Sequence, residues 1–125
     1  MRKALYRWGA MSSRQKKVMT WWTKKSRFRD YDGIIADGAI RSGKTISMGF
    51  SFCMWAMFSF NKMNFAMCGK TIASFRRNVL ATLKSQLRAR GYAVTEKKSE
   101  NLIIVSKGSK ANYFYLFGGK YEIYI

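Results

Sequence analysis

The sequence predicts an α/β fold in which helices flank a sheet that carries an added antiparallel hairpin. Three observations lead to this fold class. A glycine-rich octapeptide at residues 38–45 lies between a short apolar run and a long uncharged one. A helical pattern of apolar residues then begins at Ile72 and ends before Gly91. Three short β-like runs come last. Because a strand, a glycine loop and a helix follow one another, we expect a P-loop NTPase-type sheet.

The first half of the chain contains four predicted elements. Residues 11–22 are expected to form a short amphipathic helix. Residues 33–37 form the first core strand, and residues 44–60 form the helix after the glycine loop. Residues 64–68 are apolar and are followed by a glycine, which predicts a second buried strand.

The second half begins with a helix. Apolar residues recur at spacings of three, four and one from Ile72 to Leu87, and Gly91 suits the position after a helix end. Three strands are expected after it, and a turn at residues 107–110 joins the last two into a hairpin. The strands are residues 92–95, 102–105 and 113–117.

The octapeptide fits the phosphate-binding pattern G-x-x-x-x-G-K-[ST]. Its residues are Gly38, Ala39, Ile40, Arg41, Ser42, Gly43, Lys44 and Thr45. The glycines allow backbone N–H groups to approach a polyphosphate closely. Lys44 supplies a positive charge for the β and γ phosphates, and Thr45 supplies a hydroxyl for a bound Mg²⁺. The helix that follows directs its positive end at the same anion.

A second carboxylate, which nucleotide hydrolysis requires, is not evident. The magnesium-binding Asp of such sites ends an apolar strand. The chain has six acidic residues, and none of those after the octapeptide ends a run of four apolar residues. Asp37, directly before the octapeptide, is either close to the magnesium or an ordinary residue at a strand end. The sequence therefore predicts a nucleotide cradle without a visible Walker B carboxylate.

Composition limits the other kinds of chemistry. The absence of histidine excludes histidine-based triads, metal sites and general bases. The two cysteines, Cys53 and Cys68, lie in a predicted helix and a predicted strand, which suggests reduced core thiols. The uncharged stretch at residues 45–61 is at the lower limit for a membrane span, and a buried helix is the preferred interpretation.

The net charge of +18 predicts a polyanionic partner. The first 29 residues hold ten Lys and Arg and no acid, with Trp8, Trp21 and Trp22 among them. Such a segment suits nucleic-acid binding, or it is a solvated basic face whose tryptophans pack inward. Three further cations lie off the apolar stripe of the helix that begins at Ile72, and they contact DNA or are simply solvated. They are Arg76, Arg77 and Lys84.

Several segments together resemble the large terminase subunit of tailed bacteriophages, in its PBSX-like branch. They are Trp21-Trp22, residues 31–45, Met67-Cys68-Gly69-Lys70-Thr71-Ile72, Arg76-Arg77-Asn78-Val79 and residues 112–120. The resemblance implies an ATP-driven motor that packages double-stranded DNA into an empty head through the portal. It also implies an endonuclease domain, a small terminase subunit as partner, a homo-oligomer, and a location in the host cytoplasm and transiently at the procapsid portal, with no membrane.

The resemblance assigns roles to particular residues. Residues 38–45 would hold the phosphates of ATP, and Thr45 would contact Mg²⁺. Gln15 resembles an upstream glutamine that contacts adenine, a task that suits a primary amide, although an ordinary surface role is equally open. Arg41 would stabilise charge in the transition state, or it is an exposed loop arginine.

The expected domain organisation follows the same comparison. Residues 1–29 form the basic segment that contains Gln15, and residues 30–125 form the front part of a P-loop ATPase domain. The family continues Gly-Gly-Lys-Asp-Glu, whereas this chain has Tyr121 and Glu122 after Gly-Gly-Lys. The Walker B region and the nuclease domain are therefore expected to be absent, which leaves an incomplete core that at best binds ATP. The alternatives are a basic nucleic-acid-binding module and a non-functional prophage remnant.

Overall fold

The computed structural model describes residues 13–31, 33, 44–69 and 71–118. Its helices and strands follow in chain order. The helices are α1 (Ser13–Thr20), α2 (Lys44–Ser59), α3 (Ile72–Phe75) and α4 (Ala81–Ala89), with a π-helical segment at Arg76–Leu80 and a 3₁₀ turn at Lys98–Glu100. The strands are β1 (Asn64–Gly69), β2 (Ala93–Lys97), β3 (Leu102–Lys107) and β4 (Lys110–Gly118).

The four strands form one mixed sheet in the order β1-β4-β3-β2. Strands β2, β3 and β4 are antiparallel neighbours, and Gly108, with φ of 60°, lies in the turn between β3 and β4. Strand β1 is parallel to β4, with Asn64 opposite Tyr113 and Gly69 opposite Gly118. The predicted α/β class with an added antiparallel hairpin is therefore confirmed.

Helix α2 forms the centre of the core. Phe50, Cys53, Ala56 and Met57 are buried, and Phe50 and Ala56 are almost completely inaccessible. This explains the uncharged sequence, because α2 packs between α1 and the sheet and has little surface left for solvent. In the described part of the chain, no helix combines the length and the apolar character that a bilayer crossing needs. The core-helix interpretation of residues 45–61 agrees with this packing.

Segment α3, the π-helical segment and α4 form one continuous helix, which we call the α3–α4 helix. It begins at Thr71, whose Oγ1 accepts a hydrogen bond from the Ser74 N–H at 3.1 Å. It ends in a Schellman motif, in which the Tyr92 N–H donates to the Leu87 carbonyl and Gly91 has a φ of 89°. The predicted helix and its Gly91 cap are confirmed.

The sheet has two different faces, because side chains alternate along each strand. Among the described residues, helix α2 contacts one face, where Phe52 packs against Phe65 and Phe114. We call the other the open face. It is formed by Ala66, Cys68, Ile104, Tyr113, Tyr115 and Phe117. These six residues are half-buried or exposed, whereas Leu102, opposite Tyr115 on the same face, is buried.

Two predictions about the first elements need comment. The helix expected at residues 11–22 is shorter, because the chain after Thr20 forms successive turns, such as the one closed by the Thr23 N–H and the Thr20 carbonyl. Of the strand expected at residues 33–37, only Gly33 is described. That prediction stays open.

Candidate phosphate-binding site

The amino end of α2 lies at the carboxyl edge of the parallel strands. At the other end of α2, the Asn112 side chain of β4 donates to the carbonyls of Ala56 and Phe60. Met48, one turn into α2, lines a cleft together with Met67 and Cys68 near the end of β1. Helix α2 is therefore antiparallel to β1 and β4, and it begins where they end. This edge is where α/β sheets bind their ligands.

The first turn of α2 is suited to an anion. It begins at Lys44, the lysine of the phosphate-binding pattern, and it contains no acidic residue. The first N–H groups of a helix have no partner within the helix, and the helix dipole adds positive charge at the same place. The structure thus confirms the helix that the sequence predicted after the glycine loop.

Helix α1 runs parallel to α2. The contacts run in the same direction along both segments: the Ser51 hydroxyl donates to the Val18 carbonyl of α1, and the ring of Trp21, directly after α1, lies 6.0 Å from the Trp55 ring. The amino ends of α1 and α2 therefore lie at the same end of the molecule. The backbone of Gln15, one turn before Val18, is placed at this end.

Most of the predicted site residues lie outside the described residues. These are Gly38, Ala39, Ile40, Arg41, Ser42 and Gly43, together with Asp37 and the side chains of Gln15, Lys44 and Thr45. Their roles stay predictions. Among the residues that are described, no group of three or more acidic, Cys or His side chains could hold a metal ion.

Two glycines allow the α3–α4 helix to begin at the same edge of the sheet, a feature that sequence reasoning missed. A Cβ on Gly118 would lie 3.3 Å from the Ile72 nitrogen, and one on Gly69 would lie 3.0 Å from the Phe75 side chain. Glycine at both positions lets α3 approach the ends of β1 and β4 closely. The signal was present in the sequence, since each glycine directly follows an apolar run.

Two of the cations that were considered for DNA contact have another role. Glu96 Oε1 accepts a bond from Lys84 Nζ at 2.7 Å, and Oε2 accepts one from Arg76 Nε at 2.8 Å. The Lys84 and Arg76 bonds outweigh desolvation and hold the pKa of Glu96 below its usual range. This cluster joins the α3–α4 helix to β2. Arg77 remains exposed.

The two described tryptophans of the basic segment lie against other aromatic side chains. The Trp22 ring stacks on Phe58 with 5.2 Å between centroids, and Trp21 packs on Trp55. Trp8 lies outside the described residues. Trp21 and Trp22 are half-buried and Trp22 packs against the core, which favours the inward-packing interpretation for these two residues, and exposed cations such as Lys24 and Lys25 remain on the surface.

One cysteine prediction was wrong. Cys53 is buried as expected, and burial raises the pKa of its thiol. Cys68 is exposed, because it lies on the open face of β1. An apolar run does not reveal which of its alternating side chains will be covered.

An apolar pocket of about 310 Å³ lies between α1 and the first half of α2. Its lining includes Trp21, Tyr31, Phe52 and Trp55. An apolar, aromatic lining does not suit a polyphosphate. The anion site is therefore assigned to the first turn of α2 and not to this pocket.

A helix that begins at a P-loop lysine, at the carboxyl edge of a mixed sheet, defines a P-loop nucleotide-binding fold. Solved structures of the large terminase from a thermophilic bacteriophage are similar to this chain. The complex of that terminase with ADP has a TM-score of 0.85 and 55% identity, over 88% of this chain and 27% of the other. A second crystal form has a TM-score of 0.87 and 54% identity, over 91% of this chain and 28% of the other.

The complex of the same thermophilic-phage terminase with ATP-γ-S is also similar, with a TM-score of 0.85 and 54% identity over 88% of this chain. No protein-family model and no curated protein matches the sequence. This chain is thus homologous to part of a bacteriophage large terminase, and the resemblance predicted from the sequence is confirmed. It spans little more than a quarter of the length of these relatives.

Proposed function

We propose that this chain binds ATP with Mg²⁺ at the amino end of α2, as part of an ATP-driven motor that packages double-stranded DNA. The observation that carries the proposal is the start of α2 at Lys44, where β1 and β4 end. The related thermophilic-phage terminase forms complexes with ADP and ATP-γ-S, which supports a nucleotide as the anion.

The proposed roles follow from the chemistry of each group. The backbone amides of residues 38–45 and the first turn of α2 hold the phosphates. Lys44 neutralises the β and γ phosphates, and Thr45 holds Mg²⁺ together with phosphate oxygens. Gln15, on a helix whose amino end lies beside that of α2, contacts the adenine edge. Arg41 stabilises charge that develops on the γ phosphate.

We further propose that this chain alone binds ATP without hydrolysing it. A magnesium-binding carboxylate would be expected at the carboxyl end of a parallel strand. The two described parallel strands instead end in Gly69 and Gly118. Glu96, the most buried described acid, is bound to two cations in the helix–sheet cluster. No described carboxylate therefore lies where hydrolysis needs one.

Titration of the purified chain with ATP and Mg²⁺ tests the proposal. Loss of a charge-assisted bond of about 1.5–3 kcal/mol predicts that Lys44→Ala lowers affinity about 10- to 150-fold. Lys24→Ala removes the same charge from an exposed position and serves as the matched control, with an expected change below about twofold. Equal losses in both variants would show non-specific attraction and overturn the proposal. Robust DNA-stimulated turnover would overturn binding without hydrolysis.

A second candidate is a basic nucleic-acid-binding module. It is favoured by exposed cations in the segment after α1, including Arg27, whose guanidinium carbon lies 4.9 Å from the Phe28 ring centre. Such a module would bind DNA with a steep salt dependence, whether or not ATP is present. The resemblance further proposes the portal and the small terminase subunit as partners, a homo-oligomeric state and the host cytoplasm as location.

A further inference from the structure

A surface groove with an aromatic lining lies between α1 and the turns that follow it, and no described residue of α2 lines it. Its volume is about 210 Å³. We call it the aromatic groove, and its described lining residues are Lys17, Val18, Trp21, Phe28, Tyr31 and Gly33. Tyr31 is 62% exposed and Lys17 is exposed as well, so a ligand can reach the groove from solvent.

The aromatic rings of the groove are held in place by local contacts. The Tyr31 N–H donates to the Phe28 carbonyl at 3.1 Å, and the Phe28 N–H donates to the Ser26 hydroxyl at 3.1 Å. The rings of Phe28 and Tyr31 meet edge to face, with 5.5 Å between their centroids. Trp21 is fixed by its packing on Trp55 of α2. Because these rings are positioned before a ligand arrives, binding costs less side-chain entropy.

The segment that forms the groove, residues 13–31, is strongly basic. Its exposed Lys and Arg side chains are Lys16, Lys17, Lys24, Lys25, Arg27 and Arg29. Asp30 is the one acid in these residues. The guanidinium carbon of Arg27 lies 4.9 Å from the ring centre of Phe28. Exposed cations attract a polyanion, and a guanidinium beside aromatic rings suits the flat face of a nucleobase.

An unpaired nucleobase in a DNA strand combines the two properties that this groove selects. It is a flat ring that stacks on aromatic side chains, and it is joined to phosphates that cations bind. A base inside an intact duplex is stacked on its neighbours and cannot enter such a groove. We propose that the aromatic groove binds an unpaired base of a single DNA strand, which stacks on Tyr31 while the adjoining phosphates contact Lys17 and Arg27. This inference does not depend on ATP binding at the first turn of α2.

The test compares two single strands in fluorescence anisotropy with the full chain. One is an oligodeoxythymidylate of about 12 nucleotides, and the other is an abasic strand with the same number of phosphates. The strand with bases is expected to bind at least about fivefold more tightly. Tyr31→Ala should remove this preference, and Tyr31→Phe, which keeps the ring, should retain it. Phe117→Ala is the matched control and should leave the preference unchanged, because Phe117 is 53% exposed but lies on β4.

Lys17→Ala should weaken binding of both strands by the same factor, because both carry the same phosphates. Lys44→Ala should leave the preference intact, which separates this site from the proposed ATP site.

Three results would overturn the proposal. The first is equal binding of the two strands by the unaltered chain, a comparison that needs no variant. The second is a preference that Tyr31→Ala retains or that Phe117→Ala also removes. The third is displacement of the strand by ATP with Mg²⁺, together with equal losses of ATP and strand affinity in Tyr31→Ala, because the groove would then hold the base of ATP. Circular dichroism of each variant checks folding.

Discussion

Asn112 is the side chain whose removal tests the packing of α2 on the sheet most directly. It is completely buried at the start of β4. Its Oδ1 accepts a bond from the Met63 N–H at 3.0 Å, and its Nδ2 donates to the carbonyls of Ala56 at 3.2 Å and Phe60 at 3.0 Å. One amide thus joins the last turn of α2, the loop after it and β4.

The expected cost of Asn112→Ala follows from the partners it leaves behind. The Ala56 carbonyl keeps a second bond, from the Phe60 N–H at 3.0 Å, and Met63 is exposed enough for water to replace its partner. The Phe60 carbonyl loses its amide partner in a half-buried position. An unsatisfied buried group costs about 1–3 kcal/mol. Adding the lost packing of the amide, we expect a total loss of about 3 kcal/mol.

Asn112→Asp separates hydrogen bonding from size. The carboxylate keeps an acceptor for the Met63 N–H, but it faces two carbonyl oxygens without a proton to donate. We expect a larger loss than with alanine at pH 7, and a smaller difference near pH 4, where the carboxyl can take up a proton. Asn61→Ala is the control, because Asn61 is exposed and accepts a single bond, from the Ala111 N–H at 3.0 Å. It should cost about 0.5–1.5 kcal/mol.

Urea unfolding of the three variants measures these differences. With a slope of about 1–3 kcal/mol/M, a loss of 3 kcal/mol lowers the midpoint by about 1–3 M. The reasoning is refuted if Asn112→Ala costs less than about 1 kcal/mol. It is also refuted if Asn112→Asp is as stable as the unaltered chain at pH 7.

Three further predictions concern separate features. Glu96→Gln should cost about 1–2 kcal/mol in urea unfolding, because it uncouples a mostly buried carboxylate from two cations, whereas Glu100→Gln, at an exposed pair 3.9 Å apart, should cost less than about 0.5 kcal/mol. Gly118→Ala should lower the free energy of unfolding by about 1–3 kcal/mol, because its Cβ would press on the backbone at the start of α3. A disulfide reagent should modify Cys68 in the folded chain and Cys53 only after unfolding.

The Glu96 prediction has a pH dependence with a definite sign. The folded state lowers the pKa of Glu96, so its contribution to stability is complete above the unfolded value of about 4.3. That contribution is lost as the pH falls through the lower folded pKa. The unaltered chain should therefore lose more stability on acidification than Glu96→Gln does. Equal slopes of stability against pH for the two chains below pH 5 would contradict this pH dependence. Equal costs of Glu96→Gln and Glu100→Gln at pH 7 would contradict the stabilising role of the Glu96 ion pairs.

The sequence predicted those helices, caps and turns whose signals lie within a few neighbouring residues. Helix α2 was placed to within one residue, since an uncharged run is bounded on one side by Lys44 and on the other by polar residues. The cap at Gly91 followed from a glycine after a regular apolar repeat. The hairpin of β3 and β4 followed from the Lys-Gly-Ser-Lys turn.

Contacts between distant residues were not predictable. Nothing in the sequence of β1 specifies β4 as its parallel neighbour, and this pairing decides that Cys68 is exposed. The bond between Lys84 and Glu96 likewise depends on how the α3–α4 helix lies across β2. For the phosphate site, the sequence predicted the chemistry, and the structure added the position of the helix end relative to the sheet.

The central place of β4 has a consequence for how this protein is made. Because β4 lies between β1 and β3, the strand synthesised last among those described is the one that unites the others. A growing chain on the ribosome cannot complete this sheet until residue 118 has emerged, so β1 and the apolar α2 have no β4 to pack against before then. A stop before Lys110 would therefore remove the strand on which the sheet depends.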